Sequence, residues 1–392
     1  MTGHQAKRRE ETQEIILPSL YDHVETEVAR AHLLDWYTTN KRTLPWRDIK
    51  DPWATWVSEI MLQQTRVASV LEYFDRFMKR FPTPSALAEA EWDEVASLWA
   101  GLGYYSRAKN LWRGAKQVVS EHHGEVPSTK KDVMALSGVG PYTAGAILSI
   151  AFDQEEALVD GNVMRVLSRL YMIDLPIQST EAKRLFWSLA AQWALGDRPG
   201  DLNQGLMELG ATICTPKNPS CLLCPLNQIC TVYHLGDPLK YPVKVKKQKK
   251  RVIEEFLAVI VTRTSTDGQS EYGLIQRPIN GLLGGLWSLI MLKRTEGGTQ
   301  VSHEEFQAWF MTMHLGESKG DILKIKHIFT HKEWLVWFKV MSMNDMASSI
   351  TLPKEMHWKP LKTLDQLAIG GPSLKALILA EVPLIARRGS GR

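Results

Sequence analysis

All four cysteines of this 392-residue chain fall in one short run: Cys214, Cys221, Cys224 and Cys230, spaced C-x6-C-x2-C-x5-C. Chance rarely gathers every thiol of a chain into one window. Disulfides are one reading, but the rest of the chain reads as intracellular and is far too large to need stapling. Four thiolates held close together suit a metal centre. Zinc is the common structural partner of four cysteines, and a cubane iron–sulfur cluster is the other. The spacing alone leaves both open.

The length suggests two or three domains. With 44% apolar and 23% charged residues the chain has the composition of a globular protein with a proper core. The net charge of +4 leans towards a polyanionic partner. Met1–Glu14 is polar, with no apolar signal region. Met134–Phe152 carries no charge and approaches the ~20 residues that span a bilayer. Gly138-Val139-Gly140-Pro141 breaks it in the middle, so it reads as a helix end, a tight turn and a buried helix. No membrane contact is expected. The expected location is the cytoplasm, with the nucleoid in a bacterium, or the nucleus or mitochondrion in a eukaryote.

Residues 25–235 read as a helical domain. Val57, Ile60, Met61, Val67, Leu71, Phe74 and Met78 recur at helical spacing, and Val163, Val166, Leu167 and Leu170 form an amphipathic stripe. An N-terminal polar extension (1–24) precedes this domain. After it, 236–252 forms a basic linker: Lys240–Arg251 holds seven basic residues and no acid. Residues 253–386 read as an α+β domain, with a tail at 387–392. Strands are expected over Phe256–Thr262, Tyr272–Gln276, Ile322–Ile328 and Trp334–Met341, and a closing helix at Leu374–Leu379. Ser302-His-Glu-Glu305 is a capping box that starts another helix.

Three further motifs carry chemistry. In Leu136–Ala146, Gly138 and Gly140 make a turn between two helices, the second starting at Pro141. Its unpaired N–H groups suit a phosphate, although a plain helical hairpin has the same pattern. Asp160 precedes an amphipathic helix and reads as its N-cap, ionised beside the positive dipole end. Such a carboxylate can also steady a cationic transition state. Glu59 shares a helical face with Gln63 and Arg66, which by itself describes a solvated face.

Their order makes the case. The segment from about Arg42 to Cys230 resembles the helix–hairpin–helix DNA glycosylases of the endonuclease III and MutY type. The hairpin falls at about 130–152 and the cysteine loop at 214–230. The resemblance implies a [4Fe–4S] cluster on the four cysteines. Where endonuclease III-type enzymes carry a Schiff-base lysine, this chain has Tyr142, and no lysine lies between Asp132 and Asp160. That points to the MutY type, adenine glycosylases without lyase chemistry.

The same resemblance assigns the other residues. Lys41–Arg47 and Asn203–Gly210 match the walls of an adenine pocket, giving Arg42, Leu44, Trp46, Arg47, Gln204 and Met207. Gly205 stands where the family often has alanine. Gly101–Ser106 matches the wedge, so Leu102 and Tyr104 are expected in the base stack, with Gln64 and Thr65 holding the opened duplex and Gly138 and Gly140 at the backbone. Glu59 would be the general acid, Asp160 the carboxylate that stabilises the cation or briefly traps it, and Tyr142 a hydrogen-bond partner of the sugar intermediate or of the carboxylates. The last third resembles the Nudix-like domain of MutY enzymes through Arg277-Pro, Gly281–Trp287 and Ile328–His331. Phe329, Thr330 and His331 would read 8-oxoguanine, with Thr330 where serine is frequent. The metal-binding Arg-Glu-x-x-Glu-Glu run is absent from 290–310, so one rival reading, a Mg²⁺-dependent Nudix hydrolase with a helical fusion, lacks its ligands and is disfavoured.

The expected fold is therefore multidomain: an all-α helix–hairpin–helix glycosylase domain and an α+β Nudix-like domain. The expected partner is double-stranded DNA holding 8-oxoguanine:adenine or guanine:adenine pairs, bound by a monomer. No motif identifies a sliding-clamp or mismatch-repair partner. The other rivals are a bifunctional glycosylase/lyase and a non-catalytic iron–sulfur DNA-binding protein. Tyr142 argues against the first, and the joint presence of Glu59 and Asp160 against the second.

Overall fold

The structure is a computed structural model that describes residues 26–245, 251–294, 302–312, 321–343, 352–380 and 382. The expected N-terminal extension, the C-terminal tail and positions 246–250 of the expected linker lie outside these. The described chain packs as two compact units. One holds residues up to 89 and from 110 to 245. The other holds 90–109 together with the residues from 251 onward.

The helices, in chain order, are α1 (Thr26–Asn40), α2 (Pro52–Leu62), α3 (Val67–Arg80), α4 (Pro84–Ala88), α5 (Trp92–Leu98), α6 (Tyr105–Glu121), α7 (Lys130–Ala135), α8 (Pro141–Ala146), α9 (Gly161–Leu170), α10 (Thr180–Trp193), α11 (Pro199–Thr212) and α12 (Thr231–Leu235). A π-helical turn, Ile147–Ala151, extends α8. The stripe Val163, Val166, Leu167 and Leu170 is buried against Leu33, Phe186, Trp193 and Leu206, so α1, α9, α10 and α11 share one core. The apolar run from Val57 to Met78 is broken in two at Gln64, whose φ of 58 is left-handed. That break resets the helical phase, and α3 fully buries Val70, Phe74 and Phe77 rather than Val67 and Leu71. The break also ends α2 before Arg66, which lies outside the helix that carries Glu59. The face expected to hold Glu59, Gln63 and Arg66 is therefore not one helical face. Among the described residues no helix is long and apolar enough to cross a membrane.

The second unit is built on a seven-stranded mixed sheet. Its elements are β1 (Val252–Thr264), β2 (Ser270–Gln276), β3 (Trp287–Ser288), β4 (Ile290–Lys293), α13 (His303–Thr312), β5 (Leu323–Ile328), β6 (Lys332–Ser342), β7 (Met356–Pro360) and α14 (Gly371–Leu379). The main order is β3-β2-β1-β6-β5, with β4 added to β1 and β7 to β2. The central pair β1–β6 is parallel, with Phe256 opposite Val336. A strand covered on both faces needs apolar residues on both. Along β1, Phe256, Ala258 and Ile260 join α14 in one core, while Leu257, Val259 and Val261 join Phe306 and Trp309 of α13 in another. The Ser302 hydroxyl caps α13 by accepting from the Glu305 N–H at 3.1 Å. The other half of the expected box is missing, because the Glu305 carboxylate is taken by Arg294 at 2.5 and 2.8 Å.

Close backbone approach fixes the hairpin region. A Cβ added at Gly145 would lie 1.9 Å from the Ala157 carbonyl oxygen, whereas one added at Gly205 would meet only Leu33 Cγ at 3.1 Å. Gly145→Ala is predicted to cost about 3 kcal/mol or more and to lower Tm by roughly 6 °C or more. Gly205→Ala should cost less than about 1 kcal/mol, since one flexible side chain can give. Thermal melts check the contrast, and equal Tm values for the two variants would contradict this packing.

Candidate active site

A cavity of about 700 Å³ opens in the first unit. Four stretches line it: the loop 42–47, the end of α2 with the turn after it, the hairpin into α8 and the start of α9, and the α11 face carrying Gln204, Met207 and Glu208. The six residues expected around the adenine (Arg42, Leu44, Trp46, Arg47, Gln204 and Met207) all line it. So do Glu59, Tyr142, Asp160, Gln64, Thr65, Gly138 and Gly140. Among the described residues lining this cavity none is a lysine.

Asp51 caps α2 by accepting from the Trp53 N–H at 2.8 Å, with Pro52 in the first turn. Every residue of α2 from Trp53 to Met61 is buried, so Glu59 cannot turn to solvent and is 6% exposed. Its Oε2 accepts a 2.6 Å hydrogen bond from the Tyr142 hydroxyl, which also lies 3.4 Å from the Met207 sulfur. Burial pushes the Glu59 carboxyl up to about 7, and the Asp160 charge adds to this. The Tyr142 hydrogen bond and the Arg47 charge oppose it. The left-handed Gly138, at φ 78, makes the turn that delivers Tyr142, and a Cβ there would press on Asn110. Gly140 has open space at its Cα.

Asp160 is the N-cap of α9 in extended backbone, accepting from the Val163 N–H at 2.7 Å. The Asn162 amide donates to its other oxygen at 2.8 Å. Burial raises its pKa, while these hydrogen bonds and the Arg165 charge pull towards the carboxylate. Arg165 in turn donates to Asn162 Oδ1 at 2.9 Å and to the Cys214 carbonyl at 2.8 Å. The cap thus sits at one end of a hydrogen-bonded chain that reaches the cysteine loop. No pattern in the sequence marks Asn162 or Arg165, although both lie within the Val159–Arg169 motif.

Glu208 is the other residue that sequence reading missed. It is 1% exposed, accepts from Arg42 Nε at 2.6 Å and Nη2 at 2.9 Å, and from Arg47 Nη2 at 3.0 Å. Burial alone would raise its pKa, but the Arg42 and Arg47 hydrogen bonds hold the carboxyl below its ordinary range. Its position directly after Met207 on a wall helix is the only sequence signal.

The four cysteines border a separate small cavity with Arg169. The Arg169 guanidinium donates to Cys214 Sγ at 3.3 Å and to the Thr215 carbonyl at 2.8 Å. Burial, then the neighbouring cysteines, pushes the Cys224 thiol up to about 12. Among the described residues no three metal-ligating side chains converge on a point for one ion.

The remaining expected residues lie in the second unit. Leu102 is 7% exposed, packed inside rather than offered to a base stack, while Tyr104 is 48% exposed in left-handed backbone at φ 49. Phe329–His331 forms the turn between β5 and β6, with the Phe329 N–H donating to the Lys332 carbonyl at 2.8 Å. Thr330 and His331 are exposed there, and the Phe329 ring packs on Trp334 at 5.0 Å.

A buried and a half-buried carboxyl sharing a cavity with a hairpin turn, in a helical unit followed by an α+β unit, fit a base-excision DNA glycosylase. Residues 57–192 match the HhH-GPD superfamily of base excision DNA repair proteins, and residues 261–379 match the NUDIX domain. The chain is 37% identical to the adenine DNA glycosylase of Mus musculus, covering 90% of this chain and 78% of that one. It is 36% identical to that of Homo sapiens, covering 86% and 71%, and 38% identical to that of Arabidopsis thaliana, covering 83% and 59%. The chain belongs to the adenine DNA glycosylase family, enzymes of base excision repair.

Removing the Glu208 carboxylate leaves the nearly buried Arg47 guanidinium without its ion-pair partner and releases the more exposed Arg42. Glu208→Ala is predicted to cost about 3–5 kcal/mol, read as a lowered Tm. An unchanged melt would show that this ion pair does not brace the loop 42–47.

Proposed function

We propose that this enzyme hydrolyses the N-glycosidic bond of adenine paired with 8-oxoguanine, and with guanine, leaving an abasic site. The observation that carries this reading is the presence of two carboxyls, Glu59 and Asp160, with Tyr142 and no lysine among the described residues of one cavity roomy enough for a base. Pockets of this volume suit a small ligand.

Adenine must leave the duplex to enter, at a cost of a few kcal/mol. Arg42, Leu44, Trp46, Arg47, Gln204 and Met207 surround the flipped base. Gln64 and Thr65 hold the opened duplex, and strained backbone such as that of Gln64 is characteristic of such sites. Tyr104 fills the vacated stack, with Leu102 beneath it. Gly138 and Gly140 bring backbone N–H groups to a phosphate.

Adenine leaves poorly as an anion. Glu59, held protonated near neutrality by burial, gives its proton to N7 as the N9–C1′ bond breaks and the bonding pair goes to the base. The sugar becomes an oxocarbenium ion. Asp160, fixed by the Val163 N–H and the Asn162 amide, steadies that cation. Water adds to C1′, and its proton passes to a carboxylate. Tyr142 occupies the place of a Schiff-base lysine, so the reaction stops at the abasic site. In the second unit the exposed Thr330 hydroxyl faces 8-oxoguanine, set by Phe329 and His331.

The cysteine loop fits a [4Fe–4S] cluster. Four half-buried thiols border one cavity, the positive charge of a metal group would offset the repulsion between their thiolates, and Arg169 supplies a positive N–H donor to a ligand sulfur. When bound, the cluster supplies a rigid, charged core to the loop. It takes no part in the steps above.

The acid must be protonated, so excision should fall as pH rises through about 7. Tyr142→Phe removes a hydrogen bond that favours the carboxylate, so the falling limb should move to higher pH; a limb that stays or moves down contradicts the assignment. Glu59→Gln should abolish excision and spare DNA binding. The raised Glu59 pKa contributes stability that is full below about 4.5, the ordinary Glu value, and lost as pH rises through about 7. Glu59→Gln should therefore melt no lower than the parent at pH 8, and substantial excision by it would defeat the acid role. Thr330→Ala should reduce the preference for adenine opposite 8-oxoguanine over adenine opposite guanine. An unchanged preference would remove Thr330 from lesion reading.

A further inference from the structure

The segment 90–109, which carries the exposed Tyr104, packs with the C-terminal residues rather than with the helices that flank it in sequence. We propose that Trp92, Asp93 and Gln276 form a positioning contact that ties the Tyr104 loop to the turn reading 8-oxoguanine, so that the base opposite adenine sets how Tyr104 enters the stack. The proposal rests on the roles given above to Tyr104 and Thr330.

The loop is braced from within. Arg107 donates to the Leu102 and Gly103 carbonyls, each at 3.2 Å, and its guanidinium lies 5.6 Å from the Tyr104 ring centre and 5.4 Å from that of Trp99. Trp99 Nε1 donates to the Gly103 carbonyl at 3.0 Å. Tyr104 therefore moves with α5, not independently of it. The foot of α5 is then pinned to the glycine-rich turn after β2. Trp92 Nε1 donates to the Gly285 carbonyl at 3.2 Å, and Gln276 Nε2 donates both to Asp93 Oδ1 at 2.5 Å and to the same carbonyl at 3.1 Å. At the other end of α5, Ser97 Oγ donates to the Gln366 carbonyl at 2.5 Å.

From this foot the path to the lesion-reading turn is short. Arg277, the residue after Gln276, sets its guanidinium 5.6 Å from the Trp334 ring centre, and Trp334 packs edge-on to Phe329 at 5.0 Å. The strands agree. The start of β1 pairs with the start of β6 at Val252–Lys332, and β2 runs antiparallel to β1, so the turn after β2 and the β5–β6 turn lie at one end of the sheet. A packed, hydrogen-bonded path of this kind can carry a coupling between two sites.

Asp93 and Gln276 are exposed, so their variants should fold, which a melt checks. Single-turnover excision is measured with adenine opposite 8-oxoguanine and opposite guanine. Asp93→Ala and Gln276→Ala should each slow the 8-oxoguanine reaction by on the order of five- to tenfold, the scale of a coupling free energy. The guanine reaction should keep its rate. The double variant should be no worse than either single one, since both break the same contact. Asp93→Asn, whose amide oxygen still accepts from Gln276, should keep the parent preference, and Trp92→Phe should lose part of it. Equal slowing on both substrates, or an unchanged preference, overturns the proposal. If the parent does not excise adenine, or Thr330→Ala keeps the preference, the underlying reading has failed. If Thr330→Ala loses preference and Asp93→Ala keeps it, only the coupling has failed.

Discussion

The site depends on a carboxyl group held almost entirely out of solvent. Glu59 sits on a helix buried on every side, and its hydrogen-bond donor is the hydroxyl of Tyr142 at 2.6 Å. Desolvation disfavours its charged form, and the single hydroxyl restores only part of what water would give. A group so placed holds a proton near neutral pH and can lend it. The rest of the cavity answers to this. The hairpin turn at Gly138 exists to bring Tyr142 up, and the α9 cap places a second carboxyl whose hydrogen bonds pull it the other way. Burial raises both carboxyls, while at Asp160 an amide and a backbone N–H favour the ionised form; such a pair suits acid assistance at Glu59 and cation stabilisation at Asp160.

The charged groups around this pair are arranged in closed sets. Glu208 pairs with both Arg42 and Arg47 and fixes the loop 42–47 as a wall. Asp160, Asn162, Arg165 and the Cys214 carbonyl form a continuous chain, so the cysteine loop and the α9 cap share one buried polar framework. Arg169 performs the same service beside the thiols. Buried charges persist when each finds partners, and here each partner also places a functional group.

What could be read from sequence was whatever depends on local pattern. The hairpin glycines, the α9 stripe with its Asp160 cap, the cysteine spacing and the long strands β1 and β6 all rest on near neighbours, and they fell where expected. The features that escaped rest on distant partners. Glu208 meets Arg42 across the fold, and nothing in its neighbourhood in sequence says so. The packing of 90–109 with the C-terminal residues depends on Trp92 meeting Gly285. Leu102 reads as a wedge beside Tyr104, yet the glycines around it turn one side chain in and the other out. The short strand β7 has no alternation strong enough to announce it. Arg66 was assigned to the Glu59 face because a left-handed Gln64 cannot be foreseen from residue type.

The most direct test of the central claim is single-turnover cleavage of a labelled duplex with one 8-oxoguanine:adenine pair, analysed with and without alkali. The account predicts breaks in the adenine strand after alkali only, because two carboxyls and a tyrosine release the base and leave the sugar uncut. Breaks without alkali would contradict it by requiring a nucleophilic amine that none of the described residues lining the cavity supplies. An intact strand under both conditions, from folded protein that binds the duplex, would contradict adenine excision itself.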